Sequence, residues 1–329
     1  MNGTYLDGCF DCPHYGHFLS CYKAKQLDPN NKLYVGIHDD ATILRKKGPT
    51  VMTLDERAYI FSSTRHVDEV VPGAPWNLSL NILDQHNCAF AAHGDDLVLA
   101  ADDGTDCYSI AKRAGRFRTF PRTNGISTSN LLSRILNMDD SASFWSSGVG
   151  FTAFSARFAS LSGNACREAT NEDSVIVVHG SFEFLTPGGV SLIEEAAKHG
   201  TYVVVSLISD EEFESVHGRP PFCTMLERCL NLLSIKWLDN IIMGTTYSLN
   251  EQFKNLYNIT GLLFEEFEEG MMNQAYNDLP TFEADSTFKN CTVSHICDRI
   301  RNNKEVYIAR NAKKFSREAE AFQNIQLDE

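Results

Sequence analysis

The sequence predicts an α/β protein of two tandem domains, each built on a doubly wound parallel sheet. Three observations support this fold class. The chain has 329 residues, which is enough for two domains of ordinary size. Short apolar runs alternate with helical patterns in both halves, as they do in parallel α/β sheets. Several sequence patches of the first half also recur, in the same order, in the second half.

The first half starts with a predicted strand, then a helix and a second strand. Thr53 and Glu56 form a capping-box pattern that opens a later helix. Because parallel strands need both faces covered, we expect a ligand crevice at the carboxyl ends of the strands. The predicted strands are 4–10, 32–38, 67–71, 89–93 and 117–121, and the predicted helices are 16–27, 54–63, 106–114 and 127–136.

Residues 137–173 lack a clear period and are predicted to be a packed connector. They separate a first domain, 1–136, from a second domain, 174–329, which ends in a helix. Aromatic residues in the connector argue against disorder. In the second domain the predicted strands are 175–180 and 202–208, and the predicted helices are 188–198 and 225–236.

Four patches indicate an internal duplication. Any two α/β halves resemble one another to some degree, but four patches in the same order make chance similarity the poorer account. The pairs are 7–11 with 179–183, 54–57 with 225–228, 67–70 with 238–241, and 125–127 with 292–294.

Composition excludes several classes of function. The chain carries 29 Lys and Arg against 43 Asp and Glu, a formal charge of −14, so a nucleic-acid partner is not expected. No apolar run approaches the roughly 20 residues that span a bilayer, and the N-terminus does not read as a signal peptide. The ten cysteines are scattered, as reduced thiols are. A cytoplasmic protein without a transmembrane segment is expected.

The sharpest motif is Asp11-Cys12-Pro13-His14-Tyr15-Gly16-His17, between the first strand and its helix. A helix N-terminus offers unpaired N–H groups to a phosphate, and Gly16 permits close approach of a ligand. His14 and His17 can donate hydrogen bonds to a phosphoryl group as its charge grows. An ordinary pair of histidines in a strand-to-helix turn explains the short pattern about equally well. Zinc ligation by Cys9, Cys12 and the two histidines is disfavoured because the spacing is too tight, so no metal site is predicted.

A second pattern of the same kind is Arg122 through Thr128. Ser127 suits a helix N-cap, and with Thr128 it offers hydroxyls to a second phosphate. Arg122 adds a bidentate cation. Lys47 and Gly48 are placed on a loop, where a lysine is ordinarily only solvated.

Taken together, His14 to His17, Lys47-Gly48 and Arg122 to Thr128 resemble the cytidylyltransferase family of nucleotidyltransferases. The resemblance implies Rossmann-like nucleotidyltransferase domains, and it implies that His14 and His17 stabilise the transition state at the α-phosphate of CTP. It further implies that Lys47 and Arg122 neutralise substrate phosphates, with Mg²⁺ accompanying CTP. Further implied nucleotide-binding residues are Gly8, Phe10, Asp11, Gly16, Asp95, Gly125, Ile126, Ser127 and Thr128, and implied substrate-binding residues are Arg57, Arg65 and Trp76.

The second half departs from this pattern. Thr186 to Gly189 stand where the first half has its two histidines, Lys289 is predicted to align with Arg122, and His295 with Thr128. Since each lost donor costs a few kcal/mol in the transition state, the second domain is predicted to be degenerate and non-catalytic. We expect it to pack against the first domain and complete its site.

The duplicated architecture and residues 304–311 resemble the family members that use phosphoethanolamine in phospholipid synthesis. Choline is usually held in an aromatic cage, whereas Leu97-Val98-Leu99 stand where choline-specific members have a tyrosine. The expected reaction joins CTP and phosphoethanolamine to give CDP-ethanolamine and diphosphate, and a homodimer is possible. The alternatives are a choline-phosphate or glycerol-phosphate enzyme, or a CTP-binding protein without turnover.

Overall fold

A computed structural model of the chain describes residues 1–95, 106–136, 151–163, 167–249, 253–254, 257–265, 276–313 and 316. Its first half contains β1 (Gly3–Gly8), α1 (Tyr15–Gln26), β2 (Lys32–His38), α2 (Asp40–Lys47), α3 (Leu54–Ser62), β3 (Glu69–Ala74), α4 (Leu80–Gln85), β4 (Cys88–Gly94), α5 (Ser109–Arg113), β5 (Phe117–Phe120) and α6 (Thr128–Leu136). After α7 (Phe151–Ser162), the second half contains β6 (Val175–Gly180), α8 (Pro187–His199), β7 (Tyr202–Ile208), α9 (Asp210–His217), α10 (Met225–Leu233), β8 (Asn240–Thr245), β9 (Ile259–Phe264), α11 (Val293–Asn302) and a helix over 304–313, α12.

The first half forms a five-stranded sheet in the order β3-β2-β1-β4-β5, in which every pair is parallel. The chain order reverses between β1 and β4, so the crevice beyond their carboxyl ends is the expected ligand site. β1 ends at Gly8 and β4 at Gly94, and both lead directly into predicted site residues.

The second half repeats this layout in a four-stranded parallel sheet with the order β8-β7-β6-β9. Its first three strands follow the order of β3-β2-β1, and β9 takes the place of β4. The predicted fold class of two tandem parallel α/β units is confirmed.

The sequence predicted most elements of the first half but missed five of the helices that the structure describes. Strands 32–38, 175–180 and 202–208 have their predicted bounds. The prediction that Lys47 lies on a loop is wrong, because Lys47 is the last residue of α2. This helix begins after Asp39, whose carboxylate accepts the Thr42 N–H at 2.7 Å. The other missed helices are α4, α9, α11, and α7 within the predicted connector, of which residues 137–150 and 164–166 lie outside the described chain. Strands β8 and β9 of the second half were not predicted either.

Equivalent capping boxes open α3 and α10. Thr53 accepts the Glu56 N–H while Glu56 accepts the Thr53 N–H, as predicted, and Thr224 and Glu227 do the same. The two motifs give a reliable register for comparing the loops of the two halves.

The two halves meet around an approximate twofold axis. Thr64 forms an antiparallel bridge with Ile235, and these residues stand at the same distance along the chain from the two capping boxes. Arg65 N donates to Ser234 O at 2.8 Å, and Lys236 N donates to Ser63 O at 3.0 Å. One cluster of buried apolar side chains runs through both halves and includes Phe61, Leu132, Leu230 and Ile296.

Two equivalent ion pairs cross this interface, one buried and one partly buried. Arg134 of α6 donates to both carboxylate oxygens of Glu227 at 2.7 and 3.1 Å. Arg299 of α11 donates to both oxygens of Glu56 at 2.7 and 2.8 Å. Burial alone would raise the pKa of Glu56, but the hydrogen bonds from Arg299 hold that pKa below its usual value. A helix from each half therefore locks the capping box of the other half.

Within the described ranges, the structure shows no helix whose length and apolar character would suit it to a membrane span.

Candidate active site

A tight turn after β1 leads from the sheet into α1. Phe10 and Cys12 have φ angles of 51° and 42°, which non-glycine residues rarely adopt. Residue 8 is a glycine because a Cβ there would lie only 2.9 Å from the Phe10 ring. Phe182, the counterpart of Phe10, has φ 45°. Such strain persists only where the surrounding structure enforces it, and it concentrates at functional sites.

His14 and His17 stand side by side at the N-terminus of α1. Their ring centroids are 3.8 Å apart, with 21° between the ring planes. His14 is the N-cap residue, makes no side-chain capping bond and is 4% exposed. Gly16 is needed here because a Cβ would lie 3.0 Å from the His14 ring. Imidazole N–H groups beside a helix N-terminus form a natural seat for an anionic group.

The loop before α6 packs directly on this turn, although it lies far along the chain. A Cβ on Gly16 would come within 2.9 Å of the Ile126 side chain. Gly125 has φ 97°, and its Cβ position would lie 3.5 Å from the Tyr15 hydroxyl. The structure therefore brings together the two motifs that the sequence singled out separately.

Two cations that the sequence analysis missed hold this loop. Lys23 of α1 donates to Pro121 O at 2.6 Å and to Thr123 Oγ1 at 3.0 Å. Arg157 of α7 donates to Asn124 O at 3.1 Å and stacks over the Tyr15 ring. Burial and then the charge of Arg157 lower the pKa of Lys23. Both residues stand outside any motif, so only the tertiary structure reveals them.

The same loop is anchored at both ends by predicted site residues. Asp95, just beyond β4, accepts the Arg122 N–H at 2.8 Å. Ser127 accepts the Asn130 N–H at 3.2 Å, as an N-cap does. Thr128 donates its hydroxyl to Asp11 O at 2.7 Å. Asp95 and Thr128 thus position the loop, and Arg122 and Ser127 lie on it.

Asp11 joins four parts of the structure. Its side chain, 5% exposed, accepts the N–H groups of Val51 and Met52 at 3.0 Å, and Arg310 of α12 donates to it at 3.0 Å. Its main-chain oxygen accepts from Thr128. This geometry makes Asp11 a positioning residue for the turn rather than an open ligand for a nucleotide.

Lys47 and Trp76 lie together beyond the ends of β2 and β3. The Lys47 ammonium is 5.2 Å from the Trp76 ring centroid. The His38 ring is 4.9 Å from that of Trp76, and its Nδ1 lies 3.0 Å from Ala74 O. Burial lowers the pKa of His38, which keeps its ring neutral at pH 7. Lys47 is exposed and therefore supplies the accessible positive charge.

Asp7, at the end of β1, is a candidate that the sequence analysis did not identify. It is 2% exposed, and the Tyr108 hydroxyl donates to its Oδ1 at 2.7 Å. Its Oδ2 is buried with no hydrogen-bond partner among the described residues. Burial, then Asp7, raises the pKa of Tyr108. A buried carboxylate oxygen of this kind is suited to a cationic ligand group.

The duplicated patches contain one sequence difference that could have pointed to Asp7. Its counterpart in the second half is His179, so the carboxylate is specific to the first half. His179 lies 3.0 Å from both Ser206 Oγ and Tyr247 O, and burial lowers its pKa to about 4. The second half therefore fills the position with a neutral, internally bonded ring.

Arg57 is wholly buried and serves the protein itself. Its guanidinium donates to Cys9 O at 2.6 Å, to His38 O at 3.0 Å and to Asp40 at 2.6 Å. Arg228, its counterpart, makes equivalent contacts in the second half. A supporting role fits Arg57 better than direct substrate binding.

Arg65 lies at the junction of the halves. Its guanidinium donates to Leu233 O at 2.9 Å and to Leu238 O, both from the second half. These contacts assign Arg65 to the interdomain interface.

The second half retains the turn but has filled its site. Thr186 uses its hydroxyl to accept the Gly189 N–H at 3.0 Å, where the first half has its stacked imidazoles. Glu265 accepts the Phe182 N–H, and a Cβ on Gly180 would come within 2.5 Å of the Glu265 Cβ. A cavity of about 240 Å³ remains beside Gly188, Lys289 and Thr292. An acidic side chain beside the turn disfavours a nucleotide phosphate.

The predicted alignment of the last duplicated patch is wrong by two residues. Thr292 is the N-cap of α11 and accepts the His295 N–H, as Ser127 caps α6. Thr128 therefore corresponds to Val293 and not to His295, and the pairing of Arg122 with Lys289 is lost. Cap geometry fixes the register, whereas the short sequence similarity did not.

Three or more His, Cys, Asp or Glu side chains placed to share a metal ion are not found in the part of the chain that the structure describes.

Comparison with known proteins agrees with this geometry. A family model described as Cytidylyltransferase-like matches residues 5–134 and again 177–292. The chain belongs to the cytidylyltransferase-like family. The two matched segments coincide with the two parallel sheets, so the duplication is a repeat of the family's own fold.

Curated relatives of this cytidylyltransferase-like chain extend over most of its length. It is 28% identical to an ethanolamine-phosphate cytidylyltransferase of Dictyostelium discoideum over 96% of this chain and 95% of that protein. It is 33% identical to a probable ethanolamine-phosphate cytidylyltransferase of Schizosaccharomyces pombe over 73% of this chain and 71% of that protein. A probable choline-phosphate cytidylyltransferase of the same yeast is 42% identical, but over only 40% of this chain and 36% of that protein.

Proposed function

We propose that this protein transfers the cytidylyl group of CTP to phosphoethanolamine, giving CDP-ethanolamine and diphosphate. The observation that carries the proposal is the stacked pair of His14 and His17 at the N-terminus of α1. This pair lies against the loop of Gly125 and Ile126. The similarity to a protein named ethanolamine-phosphate cytidylyltransferase over 96% of this chain supports it.

The reaction is a single in-line displacement. A phosphate oxygen of phosphoethanolamine attacks the α-phosphorus of CTP, and the bond from that phosphorus to the bridging oxygen breaks as diphosphate leaves. The nucleophile is already an anion, so no covalent enzyme intermediate is required. The protein contributes positioning and charge stabilisation.

His14 and His17 act on the α-phosphate, where negative charge grows in the transition state. Because the two rings are stacked beside the α1 N-terminus, they meet the reacting group without reorganisation. Arg122 and Ser127, on the loop before α6, bind the phosphates that depart. Lys47 neutralises the phosphate of the attacking substrate.

Mg²⁺ enters with CTP in this proposal. The described residues offer no cluster of three acidic, histidine or cysteine ligands. Mg²⁺ commonly keeps several waters and binds substrate phosphates, so when bound with CTP it would lower the charge of the departing diphosphate beside Arg122 and Ser127.

Asp7 and its neighbours support a primary ammonium as the group on the second substrate. The ammonium of phosphoethanolamine has N–H donors for the buried Asp7 Oδ2, whereas the quaternary ammonium of choline has none. Tyr108 bonds to Asp7, and Trp76 packs on His38 beside Lys47, so both offer aromatic groups to the second substrate in this proposal. Leu97-Val98-Leu99, which lie outside the described residues, supply no further aromatic group for a cage.

The test is diphosphate release from CTP in the presence of phosphoethanolamine, phosphocholine or glycerol 3-phosphate. We expect phosphoethanolamine to be preferred at least about 10-fold in kcat/KM, since one lost charged hydrogen bond costs about 1.5–3 kcal/mol. Preference for phosphocholine or glycerol 3-phosphate would assign that compound as the second substrate instead. Release with none of them would leave a CTP-binding protein without turnover.

A cytoplasmic location and a homodimer of the whole chain stay predictions. Fractionation of cells would test the first. Analytical ultracentrifugation of the purified chain would test the second, with the internal twofold axis already supplying one paired interface within a single chain.

A further inference from the structure

The C-terminal helix α12 crosses from the second half onto the loop that follows α2. Three successive carbonyl oxygens of this loop accept hydrogen bonds from second-half side chains. Arg310 donates to Pro49 O, Tyr307 to Thr50 O at 3.0 Å, and Arg299 to Val51 O at 2.7 Å. The loop begins directly after Lys47, the last residue of α2, so these contacts fix the backbone on the C-terminal side of Lys47.

Arg310 has a second contact that connects this loop to the histidine turn. Its guanidinium donates to Asp11 at 3.0 Å, and the two side chains are only 14% and 5% exposed. Asp11 in turn accepts the N–H groups of Val51 and Met52. Arg310 therefore neutralises a buried carboxylate that holds the Lys47 loop against the turn containing His14.

The second half performs the same task with its own arginine. Arg219 donates to both oxygens of Glu183, the counterpart of Asp11, and to Pro220 O. Gly48 and Gly218 directly follow the equivalent helices α2 and α9, and Pro220 is the counterpart of Pro49, so Arg219 is an extra residue between Gly218 and Pro220. A Cβ on Gly48, which has φ 103°, would lie 3.4 Å from the Arg310 side chain. The first half has no counterpart of the inserted Arg219, and the side chain of Arg310 lies beside Gly48 instead.

We propose that Arg310 is a positioning residue for the reaction, through which the second half orders the Lys47 loop. This inference rests on the proposed function, because it concerns the residue assigned to the phosphate of the second substrate. Arg310 does not touch substrate. It acts by holding Pro49 and Asp11 in place, and these residues in turn hold the backbone next to Lys47.

The experiment compares Arg310→Ala with Arg219→Ala in the full-length protein. Both changes remove an arginine that neutralises a buried carboxylate and binds a proline carbonyl, so both should lower the melting temperature by a similar amount. Only Arg310→Ala should impair the reaction. We expect its kcat/KM for phosphoethanolamine to fall about 100-fold, the cost that a misplacement of about 1 Å can carry.

The distribution of the loss between substrates separates positioning from general destabilisation. For Arg310→Ala the KM for phosphoethanolamine should rise at least about 10-fold, while the KM for CTP should stay within about 3-fold. Arg310→Lys keeps the charge but loses the planar fork, so it should show an intermediate loss and remain assayable if Arg310→Ala does not fold.

An Arg310→Ala protein within about 3-fold of wild type, or one whose loss equals that of Arg219→Ala, would overturn the inference. Equal increases in KM for both substrates would do the same. Wild-type protein that forms no CDP-ethanolamine would refute both this inference and the proposed function.

Discussion

Asp7→Asn tests the assignment of the ammonium site with the smallest possible change. Asparagine keeps the shape of the side chain, and its carbonyl oxygen can still accept from the Tyr108 hydroxyl, as Oδ1 does at 2.7 Å. The substitution removes the negative charge and turns an N–H₂ group toward the place where the ammonium is expected. Since Asp7 is 2% exposed, water does not replace the lost acceptor.

The size of the effect follows from this burial. A hydrogen bond to a charged group contributes about 1.5–3 kcal/mol, which corresponds to roughly 10- to 100-fold in affinity. The ammonium does not change during displacement at phosphorus, so ground state and transition state lose the same contact. The KM for phosphoethanolamine should therefore rise roughly 10- to 100-fold while kcat changes little.

Steady-state assays with phosphoethanolamine and with ethyl phosphate measure this contact directly. Ethyl phosphate has the same reacting phosphate but no ammonium. Wild-type protein should prefer phosphoethanolamine, and Asp7→Asn should lose most of that preference while keeping its rate with ethyl phosphate. A variant that loses activity equally on both compounds, or one that keeps the wild-type preference, would refute the assignment of Asp7.

Three further perturbations have defined outcomes. His14→Ala or His17→Ala should each lower kcat by about 10²–10³ with little change in CTP affinity by calorimetry, and near-normal turnover would contradict the mechanism. Arg134→Met leaves the Glu227 side chain, 0% exposed, without its arginine and, among the described residues, with only the Thr224 N–H of the capping box. It should cost about 3–5 kcal/mol in urea unfolding, and a loss under about 1 kcal/mol would contradict the role of that pair. The pKa of His179 falls from 6.5 to about 4 on folding. The unfolded chain therefore binds more protons between these values, and stability should fall by about 3 kcal/mol as the pH drops from about 6.5 to about 4. A His179→Asn variant with the wild-type slope would contradict this assignment.

Much of the fold could be predicted because its signals are local. The buried strand Tyr202–Ile208 is a continuous apolar run, and its bounds agree with the prediction. The capping box of Thr53 and Glu56 likewise depends on residues three apart. α2 was missed because its start depends on one cap, Asp39, and its sequence has little apolar face.

The candidate site was only partly predictable, for a physical reason. The motifs of His14 and Ser127 have sequence patterns that reflect local geometry, a helix N-terminus after a strand. Asp7 is an ordinary acid at the end of a strand until the structure shows its burial and its bond from Tyr108. Arg310 reaches Asp11 from the opposite end of the chain, and no periodicity records such a contact.

What the second half has kept and lost indicates its role. It keeps the capping box of Thr224 and Glu227 and the buried Arg228, which build the loops and the interface. It has different residues at the positions of Asp7, His14 and His17, to which the proposed mechanism assigns the chemistry. Glu227 pairs with Arg134 of the first half, and Glu56 of the first half pairs with Arg299 of the second. Because each half contributes one arginine and one glutamate to these pairs, we expect the first half to depend on the second for its stability.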